Sequence, residues 1–230
     1  MHKFGKKYKT ARESMQVDES VAWKNGLDLV VKHAYAKFDE AVDADIALGI
    51  DPTKGEQVVR GAVLLPHGTG KKVRVLVFAK GEYAEQARAA GADYVGLDDL
   101  IDKISEGWTD FEAAIATPDV MGAVGRAAKV LGPRGLLPNK KLGTVTFDVG
   151  AVVQDLKQGR VSYRNDKGGV LHISFGKVSF GTEKLLENFT SLIKAVMASR
   201  PSSAKGKYIR KITVSSTMGV GVPLNLESTI

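Results

Sequence analysis

The 230-residue chain contains no cysteine, so disulfides, thiolate zinc clusters and thiol nucleophiles are excluded. It has no apolar run near the roughly 20 residues that a membrane-spanning helix needs, and a membrane protein is not expected. The start, Met1 to Lys9, is basic but leads into no apolar stretch, so no secretory signal is expected either. The four histidines, His2, His33, His67 and His172, are scattered without metal-ligand spacing, and no metal is expected.

Nucleotide fingerprints are also missing. Gly68-Thr69-Gly70-Lys71-Lys72 resembles part of a phosphate loop, but Leu65 stands where the first glycine belongs and Lys72 where a hydroxyl belongs. The segment also precedes a strand instead of opening a helix, so it reads as a linker turn. The α/β region has no Gly-x-Gly-x-x-Gly after its first strand. Asp43 with Asp45, and Asp98 with Asp99, read as strand-surface and helix-start carboxylates, and nothing marks a catalytic pair. Neither catalytic residues nor a cofactor are expected.

What the chain does have is localised charge. Its formal net charge is +7, yet residues 1–66 carry 10 basic and 10 acidic side chains and residues 67–155 carry 11 and 12. Residues 156–230 carry 12 basic and 4 acidic side chains, so the excess lies in the last third. Such clustering is the footprint of a surface that meets phosphates.

Two patterns alternate along the chain. Lys72–Ala79 is a continuous apolar strand, Glu82–Ala90 an Ala-rich helix ended by Gly91, Asp93–Val95 a strand, Asp98–Glu106 a helix and Phe111–Ala116 a strand. Thr117-Pro118-Asp119 then caps a third helix reaching Leu131. This predicts a Rossmann-like doubly wound α/β domain. On the flanks, Val42–Gly49 and Gln57–Leu65 partly alternate, and Arg160–Arg164 and Gly169–Phe175 are expected to form a hairpin. An amphipathic helix over Thr182–Ser199 and a strand over Tyr208–Ser215 complete an α+β sandwich. The expected layout is a split α+β domain (1–66 and 157–230) with an inserted α/β domain (67–156), the two crossovers making a plausible hinge.

Three segments stand out. Leu131 to Lys141, with two prolines and two glycines, fixes an irregular loop that displays Arg134, Lys140 and Lys141. Lys37-Phe38-Asp39-Glu40 sits between a helix and a strand, where Phe38 is either core or exposed. Ser215-Ser216-Thr217-Met218-Gly219 ends the last long strand with three hydroxyls, and Gly219 there admits close backbone approach to a ligand. Such donors suit ribose 2′-OH and phosphate.

On these segments the chain resembles the bacterial large-subunit ribosomal protein number one family, the protein of the mobile stalk. The matching stretches are Met121 to Asn139, Ser216 to Gly219, and Lys37 to Glu40 followed by Val42 and Leu48 to Pro52. The resemblance implies a cytoplasmic, ribosome-associated protein, not an enzyme, that binds the 23S rRNA stalk and helps release tRNA from the exit site. It also implies repression of its own operon mRNA. RNA-binding residues implied are Lys37, Phe38, Glu40, Asp166, Lys167, His172, Ser215, Thr217, Met218 and Gly219, with secondary contact from the inserted domain's Arg134, Lys140 and Lys141. The family usually has Thr where this chain has Ala41, so a hydroxyl contact is absent there. The rival reading is an enzyme that uses the α/β insert as a nucleotide site.

Overall fold

The computed structural model of the chain describes residues 5–15 and 20–226; Met1 to Phe4 of the basic start lie outside them. The elements run α1 (Lys6–Met15), α2 (Trp23–Lys32), β1 (Ala41–Leu48), β2 (Arg60–Leu64), β3 (Val75–Phe78), α3 (Glu82–Ala89), β4 (Tyr94–Gly96), α4 (Asp98–Ser105) and β5 (Ala113–Ala116). A broken helical stretch holds α5 (Met121–Val124) and α6 (Ala128–Leu131). Then follow α7 (Val149–Gln158), β6 (Arg160–Arg164), β7 (Val170–Lys177), α8 (Gly181–Ala198), β8 (Ile209–Ser216) and β9 (Val222–Leu224). The backbone divides into two compact units, Met1–Gly70 with Val161–Ile230, and Lys71–Arg160. Together they show the mixture of α/β and α+β structure expected from the sequence.

In the first unit, β7, β1, β8 and β9 form an antiparallel sheet in that order. Along β1, Val42, Ala44, Ile46 and Leu48 are buried while the residues between them are half-exposed, because a strand turns alternate side chains to opposite faces. The inner face packs under α2 and α8. Leu185, Phe189, Leu192, Ile193 and Val196 recur at three- and four-residue spacing and give α8 one apolar stripe. Phe189 meets Trp23 edge-on at 4.8 Å and lies 5.5 Å from Phe175. Burial of each such ring stabilises the unit by about 2–3 kcal/mol.

The strands expected to form a hairpin do not. β6 joins β2 in a separate two-stranded sheet, whereas β7 joins β1. The link retains a bridge between Asn165 and Leu171. The reason lies in Asn165: its backbone N–H donates to the Val59 carbonyl (3.1 Å), and its side-chain oxygen accepts from the Val59 N–H (2.8 Å). Val59 is buried, so its backbone groups must be paired, and satisfying them draws β6 towards β2.

In the second unit β4, β3 and β5 form a parallel sheet. All four residues of β3 are buried, as a strand covered on both faces requires. Val75 and Val77 pack with Val149 and Val153 of α7, and Leu76 and Phe78 pack with α4 and the broken helical stretch. The third helix differs from expectation. Residues Pro118–Val120 and Gly125–Ala127 are 3₁₀ turns that alternate with α5 and α6. Gly122 and Gly125 each cost about 1 kcal/mol of helix propensity, which weakens a continuous helix. Thr117 holds the N-cap position with Pro118 after it, as expected, but its side chain makes no cap bond: the residue is fully buried, its Oγ1 has no hydrogen-bond partner, and its N–H donates to the Phe78 carbonyl at 3.1 Å.

Gly68 and Gly70, both at positive φ, turn the chain out of the first unit, and no helix follows them. Asn188 of α8, fully buried, fixes this turn. Its side-chain oxygen accepts from the His67 N–H (3.0 Å), and its amide donates to the carbonyls of Gly68 and Phe175 (2.9 Å each). Asn188→Leu strands all three groups and should lower the unfolding free energy by about 3 kcal/mol in urea titrations. A loss below about 1 kcal/mol would show that the turn repairs its own bonding.

Candidate nucleic-acid interface

Two loops meet at one end of the four-stranded sheet of the first unit. One enters β1 and carries Lys37 to Glu40; the other leaves β8 and carries Thr217 to Gly219. Glu40 joins them. Its side chain is 1% exposed; Oε1 accepts from the Ala36 N–H (2.8 Å), and Oε2 accepts from the Ser216 hydroxyl (2.7 Å) and the Met218 N–H (2.9 Å). Burial raises the carboxyl pKa, but bonds from Met218, Ser216, Ala36 and Tyr35 outweigh it, and the group stays below the usual glutamate range. The expectation that Glu40 itself faces RNA is therefore corrected: an interior carboxylate has no edge to offer, and its work is to hold the two loops together.

The same bonding revises the role of Gly219. A Cβ at this position would lie 2.4 Å from the Ser216 Oγ. The missing side chain makes room for the hydroxyl that bonds to Glu40. Further bonds tighten the clasp. Thr217 donates its N–H to the Ala41 carbonyl at 3.0 Å, and its Oγ1 accepts from the Ala41 N–H at 3.0 Å. The Tyr35 hydroxyl donates to the Met218 carbonyl at 2.5 Å. Asp39 accepts from the Ser179 N–H (3.1 Å) and hydroxyl (2.8 Å), which anchors the first loop beyond β7.

What the clasp presents is unusual for a protein surface. Phe38 is 57% and Met218 52% exposed, and Lys37 and Thr217 are exposed beside them. Phe38 is not core. Both side chains stand on loops that the Glu40, Thr217 and Tyr35 bonds hold in place.

Beyond the clasp, register determines which residues share the outer sheet face. Asp43 of β1 stands opposite Ser174 on β7 and Ser215 on β8, and Asp45 opposite His172 and Thr213. His172, 61% exposed at its side chain, donates from Nδ1 to Asp45 Oδ1 (2.6 Å), and its Nε2 lies 3.5 Å from Asp166 Oδ2. A ring with a carboxylate at each nitrogen is best served by the doubly protonated form. Asp45 mainly raises its pKa, burial opposes this, and Asp166 adds to the rise. Asp166 Oδ1 accepts from the N–H groups of Gly168 and Val170, 2.8 Å each, so it shapes the turn that exposes Lys167.

Arg134, Lys140 and Lys141 are exposed and belong to the second unit. Arg134 bonds to the Thr109 hydroxyl. Lys140 and Lys141 sit in a 3₁₀ turn capped by Asn139, whose side chain accepts from the Lys141 N–H at 2.8 Å. Sequence reasoning missed Ser216, Tyr35 and Asp45. Ser216 was legible: it is in phase with the buried Ile212 and Val214, so it had to point inward. Asp45 was legible as an outward strand residue, although its pairing with His172 was not. Tyr35 carried no signal.

Two outcomes test this geometry. Glu40→Gln should cost about 2 kcal/mol at pH 7, since an amide nitrogen would face donors. Because folding lowers the Glu40 pKa, the wild-type advantage is complete above about pH 4.3 and vanishes as pH falls through the folded value. A stability gap that persists in strong acid would contradict it. His172 should titrate above about 6.5 by proton NMR and return towards that value in Asp45→Asn. Its contribution to stability is complete below about pH 6.5 and lost as pH rises through the folded value.

No helix among the described residues is long and apolar enough to cross a membrane. A family model described as the ribosomal protein L1p/L10e family matches residues 30–220, which includes both loops of the clasp, strands β7, β1 and β8 of the larger sheet and the Arg134 loop. With most of its length matched, the chain belongs to the ribosomal protein L1p/L10e family, structural and non-enzymatic proteins of the large ribosomal subunit that bind ribosomal RNA.

Proposed function

We propose that the clasp and the adjoining sheet face of the first unit hold the 23S rRNA stalk. The observation that carries this is the rigid outward presentation of Phe38 and Met218 by the buried Glu40. An exposed ring on a fixed loop suits stacking on an unpaired base, and a thioether packs on a ribose. Thr217 and Ser215 supply hydroxyls for 2′-OH groups, and Gly219 leaves the loop backbone accessible. Asp43 and Asp45 make the middle of the face unfavourable for phosphates, so the RNA backbone runs along a rim marked by Lys37 and Lys167. The His172 imidazolium offsets the charge of Asp45 and Asp166 and offers a face to a base.

In the same reading, the protein acts in the cytoplasm as part of the ribosome. Arg134, Lys140 and Lys141 of the second unit make secondary contacts with RNA and help release deacylated tRNA from the exit site. A surface that reads fold, ribose and splayed bases accepts any RNA of the same shape. A segment of the protein's own operon mRNA that mimics the rRNA site would therefore be bound and its translation repressed.

Filter binding with purified protein tests the central claim. Wild type should retain a large-subunit rRNA fragment in preference to bulk RNA. Phe38→Ala and Met218→Asp should each lower that affinity about tenfold or more, with circular dichroism unchanged because both side chains are exposed. Affinity unaltered in both folded variants would remove the clasp from the interface.

A further inference from the structure

A second basic feature lies beside the clasp. One face of α1 and the residues that follow α2 enclose a groove of about 480 Å³. Lys6, Lys7, Thr10, Ala11 and Ser14 form one wall, and their spacing places them on a single helical face. Lys32, His33 and Tyr35 form the other wall. The Ser14 hydroxyl lies 3.2 Å from His33 Nδ1 and ties the walls together, while buried Ala11 and Met15 anchor α1.

The chemistry of the groove is one-sided. No carboxylate lines it, and Lys6, Lys7 and Lys32 are all exposed. Among the described residues, the ion pairs involve none of these three lysines. Three lysines line the groove with no ion-pair partner among the described residues, an arrangement that favours an anionic occupant. Position then selects the anion. Tyr35 lines the groove and its hydroxyl bonds to the Met218 carbonyl, so the groove runs directly into the loop that presents Met218.

We propose that this groove binds the phosphate backbone of the same RNA that lies on Phe38 and Met218, extending the interface onto α1. The inference rests on the reading of the clasp as an RNA surface. It also qualifies the sequence-level view of charge: residues 1–66 are neutral in sum, but folding brings Lys6, Lys7 and Lys32 to one groove.

The test compares Lys7→Ala/Lys32→Ala with Met218→Asp on the large-subunit rRNA fragment that wild type retains. Each lost phosphate contact removes close to one counterion, so the double variant should shed about 2 from the slope of log affinity against log salt. Between 50 and 200 mM KCl, its affinity should therefore fall about tenfold less than that of wild type. An unchanged slope and affinity in the double variant, with Met218→Asp still defective, overturns the groove and leaves the clasp intact. Normal binding by Met218→Asp overturns the clasp, and the groove inference with it.

Discussion

The buried carboxylate of Glu40 is the interaction on which the end of the sheet that carries Phe38 and Met218 depends. Interior charge is costly unless hydrogen-bonded, and here three donors from two distant loops supply the bonding. Because neither loop can satisfy Glu40 alone, each is stable in its observed form only when the other is in place. Gly219 belongs to the same constraint, since it yields the space that the Ser216 hydroxyl occupies. The outward stance of Phe38 and Met218 is thus a product of what happens beneath them. Polar burial sets the geometry, and apolar exposure delivers the function.

The sheet adds a second layer of order. Its inner face is aliphatic and aromatic under α2 and α8, and its outer face is small and polar. Strict alternation along β1 makes this possible, and register with β7 and β8 brings Asp43, Asp45, His172, Ser174, Thr213 and Ser215 into two adjacent rows. Small side chains keep that face flat enough for a ribose-phosphate chain to approach.

Much of this was legible in the residues. The continuous apolar run of β3, the amphipathic stripe of α8 and the alternation of β1 each dictate their element through a simple periodicity. Periodicity cannot report pairing partners, which is why the β6–β7 hairpin was wrongly expected: a buried Asn165 bonding to Val59, far away in the sequence, decided the matter. The helix after Thr117 failed for a different reason. The start signal is present, with Thr117 at the N-cap, but Gly122 and Gly125 weaken the run that follows, and it breaks into alternating turns. For the two loops, the resemblance pointed to Phe38 and Met218, which are exposed, and also to Glu40, which is buried, because a carboxylate looks the same in sequence whether it faces a ligand or the interior.

The order of strands in the larger sheet has a consequence for how the protein is made. β1 lies between β7 and β8, and Glu40 and Ser216 are separated by 176 residues. At ribosomal elongation rates of about 5–20 residues per second, that separation is about 10–35 s of synthesis. Throughout that interval the nascent chain has Glu40 without its partner loop, and the sheet lacks at least two of its four strands, three of them until β7 is made. The second unit, continuous from Lys71 to Arg160, has all its strands and helices at hand well before then. The bonds that Ser216 and Met218 give to Glu40 can therefore form only after the whole second unit has been made.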